Sequence, residues 1–439
     1  MEKLFKGTLI TLFITLLVIL GAGAVSAATW NVGTGPGNDS TTIAGAIAMA
    51  SDGDTILVHE TGSNYVENIQ VNRENLVIQA DSTAVTIDGS GANNEPVVRI
   101  PDSGSGTTID GFTITGASGG DNAIGVHIQN ADYCWIINNI ITGNERQGIR
   151  VRGDATNNNI HDNTITENGR NGILVTGESE DTNIFRNTIE NNEWNGIELD
   201  QEAEDTQIIG NTILNNGRNG ILIDGSDEVT GVTAKYNRIY GHTDGTYFDF
   251  SNKDENYLMA DARYNWWGSN NDPVTQIEYD AINVLYNPWL YLTFTANPTS
   301  IVAGATSTLT ASFNNLFDGT TVTPFNPTDW KTHIPDGTPV TFTTTLGKLG
   351  SDMITAYTAS GVATATLTAN EGPGIAYLTA YLDALVLNPL TATVTITAVP
   401  VSAASTTKTI GMQTTGASII PLVLASLLIL GGLIVPRKK

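Results

Sequence analysis

Between residues 139 and 223, apolar and polar positions alternate, and the alternation restarts every 24 residues. Ile141, Ile165, Ile189 and Ile213 hold one place in four successive units. Ile149, Ile173, Ile197 and Ile221 hold another, followed two residues on by Val151, Val175, Leu199 and Ile223. A period of two is that of a strand with one buried face, and no unit carries the apolar stripe of a helix. A unit of this length has room for about three short strands and three turns, so the repeat predicts a stacked array with one rung per unit. Rungs stack at the inter-strand spacing of about 4.8 Å, which lines equivalent residues up as ladders.

Two polar rows and one glycine row share the repeat. Asn139, Asn163, Asn187 and Asn211 form the first row, and Asn144, Asn168, Asn192 and Asn216 the second. An amide is both donor and acceptor, so stacked amides can bond the rung above and the rung below. A lone buried amide would cost about 1–3 kcal/mol if unsatisfied, and a ladder removes that cost. Gly148, Gly172, Gly196 and Gly220 form the third row. Either turns with positive φ or close packing would require glycine there.

This pattern resembles the right-handed parallel β-helix family, the fold of pectate lyases and of carbohydrate-binding and sugar-hydrolase repeat proteins. The resemblance implies a fold rather than an activity, because the fold hosts many chemistries. The expected class is all-β: a right-handed parallel β-helix over 29–290, then an Ig-like β-sandwich over 291–398.

Flanking segments complete the plan. Residues 1–28 read as a secretory signal, with Lys3 and Lys6, an apolar run from Leu9 to Leu20, and small residues at Val25-Ser26-Ala27; a retained anchor is the alternative. Thr41 to Ser51 predicts a short amphipathic helix, capped by Asp39 or Ser40, that covers the first rung as an N-terminal lid. Rungs run irregularly through Val85-Thr86-Ile87, Val97-Val98-Arg99-Ile100 and Phe112-Thr113-Ile114, and a fifth unit ends at Asn237 and Ile239. The array is expected to fade by about residue 285.

The segment Tyr264-Asn265-Trp266-Trp267-Gly268-Ser269-Asn270 resembles one near the end of the β-helix in adhesin-like surface proteins of methanogenic archaea. Its tryptophans would either plug the C-terminal end of the core or stack on a sugar. Residues 291–398 hold short Thr- and Val-rich runs, about seven strands in all. Pro335-Asp336-Gly337-Thr338-Pro339-Val340-Thr341-Phe342, with Gly361-Val362-Ala363-Thr364-Ala365, resembles the invasin- and intimin-type Ig-like domain, which implies a spacer or a binding tip. A Ser/Thr-rich linker occupies 399–416, and 417–439 reads as a transmembrane helix with a basic tail. A wall-sorting signal is the alternative, although Met412-Gln413-Thr414-Thr415-Gly416 lacks its full motif.

Charge narrows the partners. Asp and Glu number 45 against 20 Lys and Arg, a net charge of −25, so nucleic acid is excluded for want of a basic footprint. Cys134 is the single cysteine, which rules out an intrachain disulfide, and the five histidines are scattered without zinc spacing.

Candidate chemistry lies in the outward rows. Arg146, Arg170, Trp194 and Arg218 recur on one turn and read as an ordinary surface row with Trp194 in a cation–π stack, a ligand-binding groove for a glycan being the alternative. Glu178, Glu180 and Asp181, then Glu202, Glu204 and Asp205, predict either a solvated acidic ridge or a Ca²⁺ site, calcium being the one cofactor suggested. Glu198 and Asp200 share an outward face with Asp224 on the next rung, a pairing that polysaccharide hydrolysis could use. The paired aspartates and downstream Gly-His-Gly of the polygalacturonase-like arrangement are missing, since Gly241-His242-Thr243 does not supply them. The favoured expectation is a membrane-anchored, adhesin-like, non-catalytic surface protein that binds a glycan or a surface protein of another cell or the wall. A surface lyase or hydrolase and a passive envelope component are the alternatives.

Overall fold

The computed structural model describes residues 27–224, 229–242, 246–253, 259–278 and 283–400. The signal, most of the linker and the membrane-spanning segment expected from the sequence lie outside the described residues. Among the described residues no helix is long and apolar enough to cross a membrane.

Each 24-residue unit folds into three short strands that pair in parallel with the strands of the next unit. Three sheets result, of eleven, eight and eight strands among the described residues. In one unit, Asn159–His161 lies in the first sheet, Ile173–Thr176 in the second and Thr164–Thr166 in the third. Ile141, Ile165, Ile189, Ile213 and Ile239 stand in register up the third sheet. Val151, Val175, Leu199 and Ile223 do so in the second, and Ile136, Ile160, Ile184 and Ile208 in the first. All are buried in one continuous apolar core. Each isoleucine removed from water there contributes about 1.5–3 kcal/mol.

Bends between the sheets are set by residues in the left-handed region. Asn138, Asp162, Arg186, Gly210, Tyr236 and Tyr264 have φ between 54° and 65°. Each precedes an asparagine of the first row, whose extension includes Asn237 and Asn265. The second row is preceded in the same way by Gly143, Glu167, Asn191 and Asn215. A side chain with a Cβ costs roughly 1–2 kcal/mol in this conformation. The asparagine that follows supplies the compensating hydrogen bonds.

The first ladder is continuous. Nδ2 of Asn139, Asn163, Asn187, Asn211 and Asn237 donates to Oδ1 of the next amide at 3.0–3.1 Å. The backbone N–H of each donates to the same oxygen. The second ladder runs from Asn144 to Asn216 at 2.9–3.0 Å and ends on His242. A third, Asn171–Asn195–Asn219, donates in the opposite chain direction.

The glycine row is explained by packing. None of Gly148, Gly172, Gly196 and Gly220 has positive φ. A Cβ on Gly196 would meet the Gly220 carbonyl at 2.6 Å and Ile213 Cγ2 at 2.7 Å. These glycines let consecutive rungs close over the isoleucine column.

Helix α1, Ile43–Met49, buries Ile43, Ala46 and Ile47 in the solenoid core at its N-terminal end. Its cap is Thr42, whose hydroxyl accepts from Gly45 N at 3.1 Å, rather than Asp39 or Ser40. Asp39 instead accepts from Asn31 N, and Ser40 from Thr42 N. The Glu67 carboxylate accepts from Ile43 N and Ala44 N at 2.9 and 3.0 Å, placing negative charge at the helix N-terminus.

At the other end Trp266 and Trp267 are both fully buried, Trp267 in the solenoid core and Trp266 in the core of the following domain. They plug the open end, and neither offers a face to a sugar. Beyond them a three-stranded sheet (Thr293–Asn297, Thr306–Ser312, Val362–Thr368) and a five-stranded sheet share one core that includes Leu309, Leu367, Phe342, Leu378 and Val394. The five strands are Ser300–Val302, Leu390–Thr397, Gly374–Tyr381, Pro339–Thr344 and Met353–Tyr357. Asp383 ties this domain to the solenoid. It accepts from Arg238 Nε at 3.0 Å and Nη2 at 2.5 Å, and from Trp266 Nε1 at 2.9 Å.

Candidate ligand-binding face

The strands of the second sheet alternate core residues with residues on the outer surface. Up that surface Arg99, His127, Arg150, Leu174, Glu198, Leu222 and Ser251 stand in register. Beside them run Gln129, Arg152, Thr176 and Asp200. The N-terminal half of the face is therefore cationic and the C-terminal half acidic.

Three arginines pack around His127, which is only 3% exposed. Neither of its ring nitrogens has a hydrogen-bond partner, and Arg99 Nε, Arg150 Nε and Gln147 Oε1 are likewise buried and unpaired. Burial holds the imidazole neutral, its pKa brought down to about 3, with Arg150, Arg99 and Arg152 adding repulsion. Burial also lowers the Arg150 pKa, together with Arg152 and Arg146. Glu95 relieves Arg99 at 3.4 Å, whereas Arg150 and Arg152 have no carboxylate partner among the described residues. Unpaired buried donors beside like charges are costly, and an incoming anion would satisfy both at once.

Sequence reasoning missed this cluster because it straddles the last irregular rungs, with Arg99 and His127, and the first regular one, with Arg150 and Arg152. Its signal is a cation or imidazole between core residues in Val98-Arg99-Ile100, Val126-His127-Ile128 and Ile149-Arg150-Val151-Arg152.

Residues 97–258 match the family model of the right handed beta helix region. The solenoid is a right-handed β-helix. Its match to the pectate lyase Pel9A has 12% identity and a TM-score of 0.44, covering 63% of this chain and 76% of that one. An alginate lyase from Paenibacillus sp. str. FPU-7 aligns at 14% identity and a TM-score of 0.37, over 55% of this chain and 95% of that one. A C-terminal fragment of intimin, solved with the intimin-binding domain of its translocated receptor, aligns at 29% identity and a TM-score of 0.17. That alignment covers 24% of this chain and 32% of the fragment. The comparison with curated proteins found no match.

On the β-helix turn that leads into the face, Trp194 lies between Arg170 and Arg218. Their guanidinium carbons stand 4.2 and 3.8 Å from the ring centroid. With a cation from each neighbouring rung on the indole, Trp194 is a cation–π stack and not a sugar platform. Arg146 pairs with Asp121 and donates to the Gly120 carbonyl at 3.3 Å. Arg170 has a lowered pKa, from burial and then from Arg146 and Arg218. Of the three arginines only Arg146 has a carboxylate partner among the described residues, which leaves the N–H edges of Arg170 and Arg218 as the row's free chemistry.

Glu198 heads the acidic half. Asn195 Nδ2 donates to it at 2.5 Å. Burial raises its pKa, with Asp224 and Asp200 acting in the same direction against the Asn195 bond.

The acidic ridge does not close into a calcium site. Glu180 bridges Thr156 and Glu204 along the β-helix, but Glu178, Glu180, Asp181, Glu202 and Asp205 are exposed. Glu178, Asp181, Glu202 and Asp205 sit at positive φ in the bends. Among the described residues no three His, Cys, Asp or Glu side chains gather closely enough to hold a metal ion. Stacking keeps these carboxylates in parallel rows, whereas calcium needs six to eight oxygens converging from several directions.

Proposed function

We propose that the chain is a surface-displayed, adhesin-like binding protein that recognises an anionic glycan on the cationic half of this face. The observation that carries the reading is the Arg99–His127–Arg150–Arg152 cluster, with buried unpaired donors, in a chain of net charge −25. A carboxylate- or sulfate-bearing sugar would accept from those donors and offset the mutual repulsion of the guanidiniums. In this reading the signal directs export and the C-terminal apolar segment anchors the chain in the membrane. The sandwich is an Ig-like spacer of the invasin and intimin type that lifts the β-helix off the surface. The overall design is that of archaeal adhesin-like proteins.

Titration calorimetry of the full chain with a galacturonate hexamer and a neutral hexamer tests the binding. The acidic probe should bind more tightly. Arg150→Ala should weaken it about 10- to 100-fold, the loss of one charge-assisted hydrogen-bonding group. Equal affinity for both probes would sink the reading.

A second reading has its own observation. Glu198 is a carboxyl with a raised pKa beside Asp200 and Asp224, the arrangement a glycosidase uses to keep one acid protonated. Incubation with acidic polysaccharide and assay of new reducing ends decides it. Turnover that falls at least a hundredfold in Glu198→Gln supports hydrolysis, and no turnover by the unaltered chain excludes it.

A further inference from the structure

The outer surface of the first sheet carries two parallel rows of a different chemistry. Trp135, Asn159, Asn183 and Gln207 stand in register in one row. Ile137, His161, Phe185 and Ile209 stand in register beside them. The second row is a ring stack. His161 lies nearly parallel to Phe185 at 4.4 Å between centroids, and Trp135 meets His161 edge-on at 5.7 Å. Trp330, on the short turn Trp330–Thr332 of the sandwich domain, reaches the Phe185 ring at 4.9 Å. The first row, with Phe185, Ile209, Trp330 and Lys331, lines a cleft where the β-helix meets the sandwich.

The amide row is pinned. Nδ2 of Asn159 donates to the Asn157 carbonyl and Nδ2 of Asn183 to the Asp181 carbonyl, each at 3.0 Å. Each bond fixes its side chain and leaves the amide oxygen without a protein partner, and the Gln207 amide has none among the described residues. Trp135 remains 40% exposed at the N-terminal end of the cleft, away from the sandwich. A purely structural contact between domains would not need a row of preset acceptors or an exposed indole beyond the contact.

We infer that this cleft is a second carbohydrate site, on a different sheet from the cationic face, and that it takes a neutral glycan of all-equatorial pyranose rings. Such a ring has two apolar faces of C–H groups and carries its hydroxyls around the edge. A ring face suits the exposed Trp135 indole, since His161, Phe185 and Trp330 pack on one another and Arg186 lies over Phe185 and Trp330, and the edge hydroxyls donate to the amide oxygens alongside. Pockets of this kind combine apolar surface for affinity with a few fixed polar groups for orientation. Unlike the first face, the site bears no buried unpaired cation, and Lys331 is its one lining charge.

Titration calorimetry of the full chain with cellohexaose tests the inference. Saturable binding is expected, weakened at least tenfold in Trp135→Ala and in Gln207→Ala and unchanged in Arg152→Ala. Gln207→Ala removes no side-chain hydrogen bond among the described residues; near-UV circular dichroism checks that both variants stay folded. No binding by the unaltered chain, or binding by both variants as tight as by the unaltered chain, overturns the site and leaves the aromatic stack as domain packing. Because Arg152 serves only the acidic probe, failure here is separable from failure of the first reading.

Discussion

Asn187→Ala is expected to lower stability by about 3–5 kcal/mol, because one deletion orphans several buried groups at once. Asn187 Oδ1 accepts from both the backbone N–H and Nδ2 of Asn163, at 3.0 Å each. Its own Nδ2 donates to Asn211 Oδ1 at 3.1 Å and to the Ile160 carbonyl at 2.8 Å. Alanine removes the acceptor of the Asn163 backbone N–H and the amide donor to the Ile160 carbonyl in a dry core, each at about 1–3 kcal/mol, while Asn163 Nδ2 keeps the Ile136 and His161 carbonyls. The rungs above and below cannot collapse to repair this, since the isoleucine columns hold their spacing. Urea unfolding of the full chain followed by circular dichroism should show the midpoint falling with little change in slope. An unchanged midpoint would mean that the amides exchange with water and that the ladder is not a structural spine.

Asp383→Ala should cost about 3–5 kcal/mol at the junction between the two domains. The ion pair with Arg238 is nearly closed to solvent, with side-chain exposures of 10% and 5%. Removing the carboxylate strands the Arg238 guanidinium and the Trp266 indole N–H, and an uncompensated buried charge is far costlier than the intact pair is favourable. Replacing both partners, Arg238→Met with Asp383→Leu, should recover the part of the loss due to the stranded guanidinium, while the Trp266 N–H stays unpaired. A thermal-denaturation double-mutant cycle measures this directly. Full additivity of the two single changes would show that the residues do not act as a pair. If the junction loosens as expected, Asp383→Ala should also weaken cellohexaose binding, since Trp330 closes that cleft from the sandwich side.

The internal repeat made the stack legible before any coordinates. A fixed period forces equivalent residues onto one another, so the isoleucine columns and both long asparagine ladders followed from spacing alone. The two ends were legible in part. The lid helix and the tryptophan plug were foreseen, but the cap moved to Thr42, because several residues before a short helix can serve and only the chain path selects one. Composition argued against nucleic acid as a partner, yet it hid the cationic cluster, because a net charge averages over the whole surface.

What the sequence by itself determined about this protein is the order of its rungs and the residues that face inward, since alternation and period are one-dimensional properties. Only the tertiary structure decided which outward residues meet. Trp330 joins Phe185 across the domain junction, Arg170 and Arg218 close over Trp194, and the ridge carboxylates stay apart. The reason is physical. A strand dictates on which side a residue projects, but the bends, set by left-handed residues such as Arg186 and Tyr236 that carry no glycine signature, determine which rows become neighbours.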